Sequence, residues 1–172
     1  KEFIKPTINT MHNLGYTYKG ILYAGLMFTN KGIYLIEYNI RLGDPECQGI
    51  FSRLKTDFLK VCLMTENNKL DKIKMNLDKK NSLCVVLASR GYPEKYKTGF
   101  KINGINSLKN SAVDIYHAGT KIDNKKNFIT NGGRVLNLVV KNNSLEQARV
   151  KIYNFIQKIK CSNLFCRKDI GN

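Results

Sequence analysis

Two neighbouring runs near the start of the chain are mainly apolar, and polar side chains enter the second run at alternate positions near its end. Ile21–Thr29 and Ile33–Ile40 are rich in β-branched and aromatic residues, and the turn-forming sequence Asn30-Lys31-Gly32 lies between them. This pattern predicts a β-hairpin. In the second strand, a period of two places four residues on one face: Ile33, Leu35, Glu37 and Asn39. The carboxylate and the carboxamide of this strand are therefore expected to point the same way.

Helical spacing appears in three other segments. Pro6–Leu14 predicts a short helix that Gly15 ends. After Gly43, Asp44 can cap a helix whose first position Pro45 suits. Its apolar residues recur at i, i+3 and i+4: Cys47, Ile50, Phe51, Leu54, Phe58, Val61 and Cys62. Ser144 begins a last helix with a core stripe of Ala148, Ile152, Phe155, Ile156 and Ile159.

The remaining pattern predicts a second unit of mainly β structure. A polar connection over residues 65–82 includes a short strand near Ile73–Leu77. It leads to strands at Leu83–Ala88, Val113–His117 and Arg134–Val140, with a hairpin around Asn131-Gly132-Gly133. The predicted fold class is α+β.

Charge and cysteine content limit the classes of partner and the cellular compartment that we expect for this protein. Twenty-nine basic against thirteen acidic residues give a formal charge of +16. Most of the basic residues are lysines scattered singly or in pairs, without a clustered basic helix or an RNP-like aromatic motif, so a nucleic acid is not expected as a partner. Five cysteines without a CxxC pair indicate reduced thiols and a cytoplasmic protein. No apolar run is long enough for a membrane span.

The strand that carries Glu37 and Asn39 has the chemistry of a metal and phosphate site. Carboxylate and amide oxygens are ligands that Mg²⁺ prefers, with phosphate oxygens completing its coordination. If the strand continues, Arg41 lies on the same face, where a guanidinium can hold a phosphoryl oxygen. The helix that follows Asp44 adds free backbone N–H groups nearby. Each feature also has a simpler explanation: a surface ion pair of Glu37 with Arg41, a turn residue at Asn39 and a helix cap at Asp44.

Several motifs resemble one family of ATP-grasp enzymes, the phosphoribosylamine-glycine ligases, also called glycinamide ribonucleotide synthetases. GILYAGLM and EYNIRLGDPE are similar to the family's GVLYAGLM and EFNVRFGDPE. LASRGYPEKYKTG, YHAGTK, TNGGRVLNLV and FCRKDIG follow in the family's order, so the resemblance covers nearly the whole chain. Leu42 stands where the family usually has Phe, and Arg90 where it usually has Gly.

The resemblance implies the C-terminal half of an ATP-grasp domain, an antiparallel sheet with helices, over residues 1–76. A small β-rich domain akin to the C-terminal domain of biotin carboxylase would follow over residues 77–172. The family's N-terminal domain and the lobe that clamps adenine would be missing from this chain, so we expect no turnover by the chain alone.

The resemblance further implies a ligase of purine biosynthesis that uses ATP with Mg²⁺ or Mn²⁺ to join glycine to 5-phosphoribosylamine. Carried over by position, Glu37 and Asn39 match the metal ligands. Arg41 matches a catalytic, phosphate-binding cation, and Asp44 and Glu46 would lie near the amino-acid substrate. The roles of His117 and of the turn from Asn131 to Arg134 stay open. Two alternatives remain, another ATP-grasp carboxylate-amine ligase and a non-enzymatic basic protein that binds nucleic acid.

Overall fold

A computed structural model describes residues 2–108 and 112–172 of the chain. The chain divides into two compact units. The first comprises Lys1–Cys47 and Leu54–Asn76, and the second comprises Gln48–Arg53 and Leu77–Asn172. Both units mix helices with antiparallel strands, which confirms the α+β class. Within the described ranges, no helix is long and apolar enough to cross a membrane.

The first unit holds one helix, a β-hairpin and a second, later helix. α1 spans Ile4–Asn13, and Gly15 after it has a left-handed φ of 86°, as its place at a helix end requires. β1 (Tyr23–Thr29) and β2 (Gly32–Asn39) form the predicted hairpin, with Asn30 and Lys31 as its loop. Tyr38 of β2 contacts the start of α1, because its hydroxyl donates to the carbonyl oxygen of Phe3, the residue before the helix, at 3.1 Å.

The single helix predicted after Gly43 is two helices. α2 spans Glu46–Arg53 and α3 spans Phe58–Glu66, so the prediction of an uninterrupted helix is wrong. Asp57 begins α3 by accepting hydrogen bonds from Leu59 N at 2.9 Å and Lys60 N at 3.5 Å.

The predicted strand near Ile73–Leu77 does not form. A 3₁₀ turn at Leu70–Lys72 follows α3, and residues 73–76 belong to no helix or strand. The amides of Lys55 and Thr56 both donate to Asn76 O, at 2.9 and 3.3 Å. This polar segment therefore pairs with the turn before α3 instead of building a sheet.

The second unit is centred on a four-stranded antiparallel sheet. Its spatial order is β4 (Asp114–His117), β7 (Arg134–Asn142), β3 (Asn81–Ser89) and β8 (Leu164–Phe165). β7 is buried on both faces because it is central and because α4 (Leu145–Ile156) packs over β7 and β3. Ser144 caps α4 as predicted, accepting from Gln147 N at 3.3 Å. The core stripe of α4 is confirmed, with Ala148 and Ile152 fully buried.

A second, two-stranded sheet pairs β5 (Thr120–Ile122) with β6 (Phe128–Thr130). The predicted hairpin around residues 131–133 is therefore wrong, since β6 pairs with β5, whereas β7 pairs with β3 and β4. Asn131-Gly132-Gly133 instead connects one sheet to the other. A short 3₁₀ turn, Ile105–Leu108, supplies two further core residues of this unit.

Candidate active site

The hairpin brings Glu37 and Asn39 together. The Asn39 amide Nδ2 donates to Glu37 Oε1 at 2.8 Å, which confirms that the two side chains point the same way. Across the hairpin, Asn39 pairs with Tyr23 and Glu37 pairs with Gly25. A Cβ atom at Gly25 would lie 3.2 Å from Glu37 Cγ, so glycine at this position leaves room for the glutamate side chain. The carboxylate–carboxamide pair is thus a product of strand register as well as of sequence spacing.

A β-bulge interrupts the hairpin beside this pair. Gly25 pairs with Glu37 and Leu26 pairs with Leu35, so Ile36 has no partner across the ladder. The extra residue breaks the strict alternation of faces, because a bulge puts two residues opposite one. The period of two therefore cannot be extended from Glu37 and Asn39 across the bulge to Leu35 and Ile33, although the sequence pattern alone placed all four residues on one face.

Arg41 does not continue the strand. β2 ends at Asn39, and Arg41 Nη1 donates to Leu42 O at 3.0 Å. The condition for placing Arg41 on the face of Glu37 and Asn39, a strand that continues to Arg41, is therefore not met. Among the described residues, Arg41 and Glu37 also form no ion pair, so the simpler explanation of these two residues does not hold either.

Tyr23 is a further member of the site that the sequence pattern did not single out. Its hydroxyl donates to Glu46 Oε1 at 3.3 Å. Burial, followed by the charge and hydrogen bond of Glu46 and then the charge of Glu37, raises the pKa of the Tyr23 phenol. Both carboxylates therefore act on one phenol. Finding Tyr23 from the sequence would have required the cross-strand register that places it opposite Asn39.

The turn between β2 and α2 contains the other predicted residues. Asp44 and Pro45 lie in a turn, joined by a cis peptide bond, and the helix begins at Glu46. Cys47 N donates to Gly43 O at 2.9 Å and closes this turn. Gly43 is buried, and the Glu46 carboxylate lies directly over it. Glu46 is thus brought beside Tyr23 and the hairpin.

The donor set fits a hard divalent cation that shares its coordination with a substrate. Glu37 offers carboxylate oxygens, and Asn39 offers an amide oxygen once its nitrogen faces Glu37. In the part of the chain that the structure describes, no group of three or more His, Cys, Asp or Glu side chains could hold a metal ion by itself. Magnesium commonly binds through one or two protein oxygens together with phosphates and water, which is the situation that two side chains allow.

A separate cluster in the second unit gathers the motifs ASRGYP, HAGT and NGGR. Gly119 N donates to Arg134 O at 2.8 Å, and Asn131 N donates to Gly119 O at 2.7 Å. The buried Ser89 hydroxyl donates to Gly132 O at 2.8 Å. His117 lies at the edge of this cluster, where Nδ1 hydrogen-bonds Thr120 Oγ1 at 2.9 Å. The sequence pattern did not predict that these three loops meet, because they are far apart along the chain.

Family models match both parts of the chain. Residues 1–47 match the model described as "Phosphoribosylglycinamide synthetase, ATP-grasp (A) domain". Residues 82–172, more than half of the chain, match "Phosphoribosylglycinamide synthetase, C domain". The chain belongs to the phosphoribosylglycinamide synthetase family. Its succession of an ATP-grasp part and a C domain confirms the predicted fold class.

Relatives of the same family support this membership. The chain is 42% identical over 171 residues to the phosphoribosylamine–glycine ligase of Caldanaerobacter subterraneus and 40% identical over 172 residues to that of Escherichia coli K12. Each alignment covers 99% of this chain and 40% of the relative. The crystal structure of the Thermotoga maritima phosphoribosylamine–glycine ligase matches with a TM-score of 0.74 and 32% identity, covering 93% of this chain and 39% of that one. The chain thus spans about 40% of the length of the curated relatives that it matches.

Proposed function

We propose that this chain supplies the metal- and phosphate-binding strand and the C domain of a ligase that joins glycine to 5-phosphoribosylamine. The observation that carries this proposal is the hydrogen-bonded Glu37–Asn39 pair at the end of β2, in a chain of the phosphoribosylglycinamide synthetase family. The names of the relatives at about 40% identity support the choice of reaction.

The reaction has two bond-forming steps. The γ-phosphoryl group of ATP moves to the glycine carboxylate and gives glycyl phosphate and ADP. The amine of 5-phosphoribosylamine then attacks the carbonyl carbon, and phosphate leaves with one of the original carboxylate oxygens to give glycinamide ribonucleotide. Phosphoryl transfer of this kind depends mainly on positioning and on charge neutralisation.

Each candidate residue has a role in these steps. Glu37 and Asn39 hold Mg²⁺ or Mn²⁺, which when bound neutralises charge on the triphosphate. Arg41 neutralises the transferred phosphoryl group, after its guanidinium exchanges the Leu42 carbonyl for phosphate oxygens. Asp44 and Glu46 lie near glycine, where their negative charge suits its ammonium group. ATP, glycine and 5-phosphoribosylamine are the small molecules bound.

The first unit needs more polypeptide to cover it. Among the described residues of that unit, Gly43 is the only one that is buried. The β1–β2 hairpin of the unit exposes large apolar side chains. Phe28 is 74% exposed and Ile36 is 61% exposed. Surfaces of this kind are normally covered by another protein segment. The N-terminal part of the same cytoplasmic enzyme is the partner that we assign to this surface, with residues 1–76 and 77–172 as the two domain segments contributed by this chain.

The test uses a full-length ligase that carries this sequence. Glycine- and phosphoribosylamine-dependent release of ADP should be present in the parent. Glu37→Gln and Asn39→Ala should each remove most of that activity, because the first removes the negative charge and one oxygen of the carboxylate ligand and the second removes the amide oxygen. Glu94→Gln is the matched control, since Glu94 is an exposed carboxylate in the second unit and should leave the rate unchanged. Parental rates for both site variants at saturating Mg²⁺ would refute the metal-ligand assignment.

A further inference from the structure

The Glu46 carboxylate is held on two sides by residues from different segments. Tyr23 on β1 donates to one of its oxygens, and Gly43 in the turn lies beneath the other. We propose that Tyr23 and Gly43 are positioning residues that fix the Glu46 carboxylate for the ammonium group of the amino-acid substrate. This inference rests on the proposed function, which requires a binding site for glycine beside the metal.

Gly43 is required by the carboxylate and not by its own backbone conformation. Its φ lies outside the left-handed region that favours glycine. A Cβ atom there would nevertheless lie 2.1 Å from Glu46 Oε2 and 2.9 Å from Glu46 Cδ. An alanine is therefore compatible with the chain path but not with the position of Glu46. Because Glu46 Oε2 is the end of a flexible side chain, the glutamate would move and the turn would stay.

Tyr23 connects Glu46 to the strand that carries the metal ligands. It pairs with Asn39 across the hairpin, and its hydroxyl reaches Glu46 Oε1 at 3.3 Å. A carboxylate that accepts a hydrogen bond on one oxygen keeps its second oxygen for another donor. A primary ammonium is a suitable donor, because charge-assisted hydrogen bonds are stronger than neutral ones. Tyr23 and Gly43 thus set the position and the orientation of the Glu46 carboxylate.

The experiment measures steady-state kinetics in the full-length ligase that carries this sequence. Tyr23→Phe removes one oxygen atom and should raise KM for glycine about 5- to 10-fold, with KM for ATP within about 2-fold of the parent. Gly43→Ala should raise KM for glycine at least as much. Tyr96→Phe is the matched control, because Tyr96 is an exposed tyrosine of the second unit, outside the hairpin. Thermal unfolding of each variant separates a local effect from loss of the fold.

A double-mutant cycle tests whether Tyr23 acts through Glu46. Once Glu46→Gln is present, adding Tyr23→Phe should change KM for glycine by less than about 2-fold. Unchanged KM for glycine in Tyr23→Phe and Gly43→Ala, or effects of Tyr23→Phe and Glu46→Gln that multiply, would overturn the inference. An active parent with those outcomes refutes only the positioning role. A parent without glycine-dependent activity refutes the proposed function itself.

Discussion

The contact between Gly119 and the 132–134 segment predicts a large loss of stability when one methyl group is added. In Gly119→Ala, the new Cβ would lie 2.6 Å from Arg134 O and 2.6 Å from Gly132 Cα, both of which are backbone atoms that cannot rotate away. Separating the two loops would break the hydrogen bonds from Gly119 N to Arg134 O and from Asn131 N to Gly119 O. Each is worth about 1 kcal/mol, and overpacking adds about 1–3 kcal/mol. We therefore expect the free energy of unfolding to fall by roughly 3–5 kcal/mol.

The same substitution at Gly49 should raise the free energy of unfolding instead of lowering it. Gly49 lies inside α2, where a Cβ would have only Ser82 Oγ within 4 Å, at 3.9 Å. Alanine in a helix interior is favoured over glycine by about 0.5–1 kcal/mol. Urea unfolding followed by far-UV circular dichroism measures both variants, and hydrogen exchange of the β7 amides reports on the second unit by itself. A Gly119→Ala variant within about 0.5 kcal/mol of the parent would refute the packing of these loops. A clearly destabilised Gly49→Ala variant would contradict the open space beside Gly49 in α2.

Three further predictions concern other parts of the chain. Asp57→Ala removes the cap of α3, so its urea unfolding should show a loss of about 1 kcal/mol, and no change would contradict the cap. Burial raises the pKa of the Cys166 thiol despite the opposing effect of Lys168. Because the thiolate is the reactive form, less of it is present near pH 8, and the alkylation rate of Cys166 should rise with pH through a midpoint above the ordinary cysteine value. Mass spectrometry measures this rate, with exposed Cys62 as the accessibility control, and a midpoint at or below that value would contradict the burial effect. The isolated 172-residue chain should release no ADP in response to glycine and phosphoribosylamine, and measurable turnover would show that it needs no other segment.

Local signals in the sequence were sufficient for most of the elements. The hairpin, β3, β7 and α4 follow from runs of apolar and β-branched residues, from turn residues and from the Ser144 cap, all of which act within a few residues. The break at Asp57 was missed because apolar spacing looks the same across two helices in succession. The partner of β6 was missed because a glycine-rich turn does not reveal whether its flanking strands pair with each other or with more distant ones.

The candidate site shows the same division between local and distant information. Spacing alone placed Glu37 beside Asn39, and the structure confirms that contact. Tyr23 could not be predicted as their neighbour, because its place depends on the register of the hairpin and on its bulge. Gly43 gave no signal beyond a turn composition. Its importance depends on the position of the Glu46 side chain, which only the folded chain defines.

The transfer of a glycine oxygen to phosphate is the most direct test of the proposed reaction. Glycine labelled with ¹⁸O in its carboxylate would be supplied, with ATP and 5-phosphoribosylamine, to the full-length ligase that carries this sequence. Formation and cleavage of glycyl phosphate require one labelled oxygen to appear in each inorganic phosphate released, which mass spectrometry or ³¹P NMR detects. Phosphate without label, released in step with turnover, would contradict the central claim that this chain belongs to a ligase acting on the carboxylate of glycine.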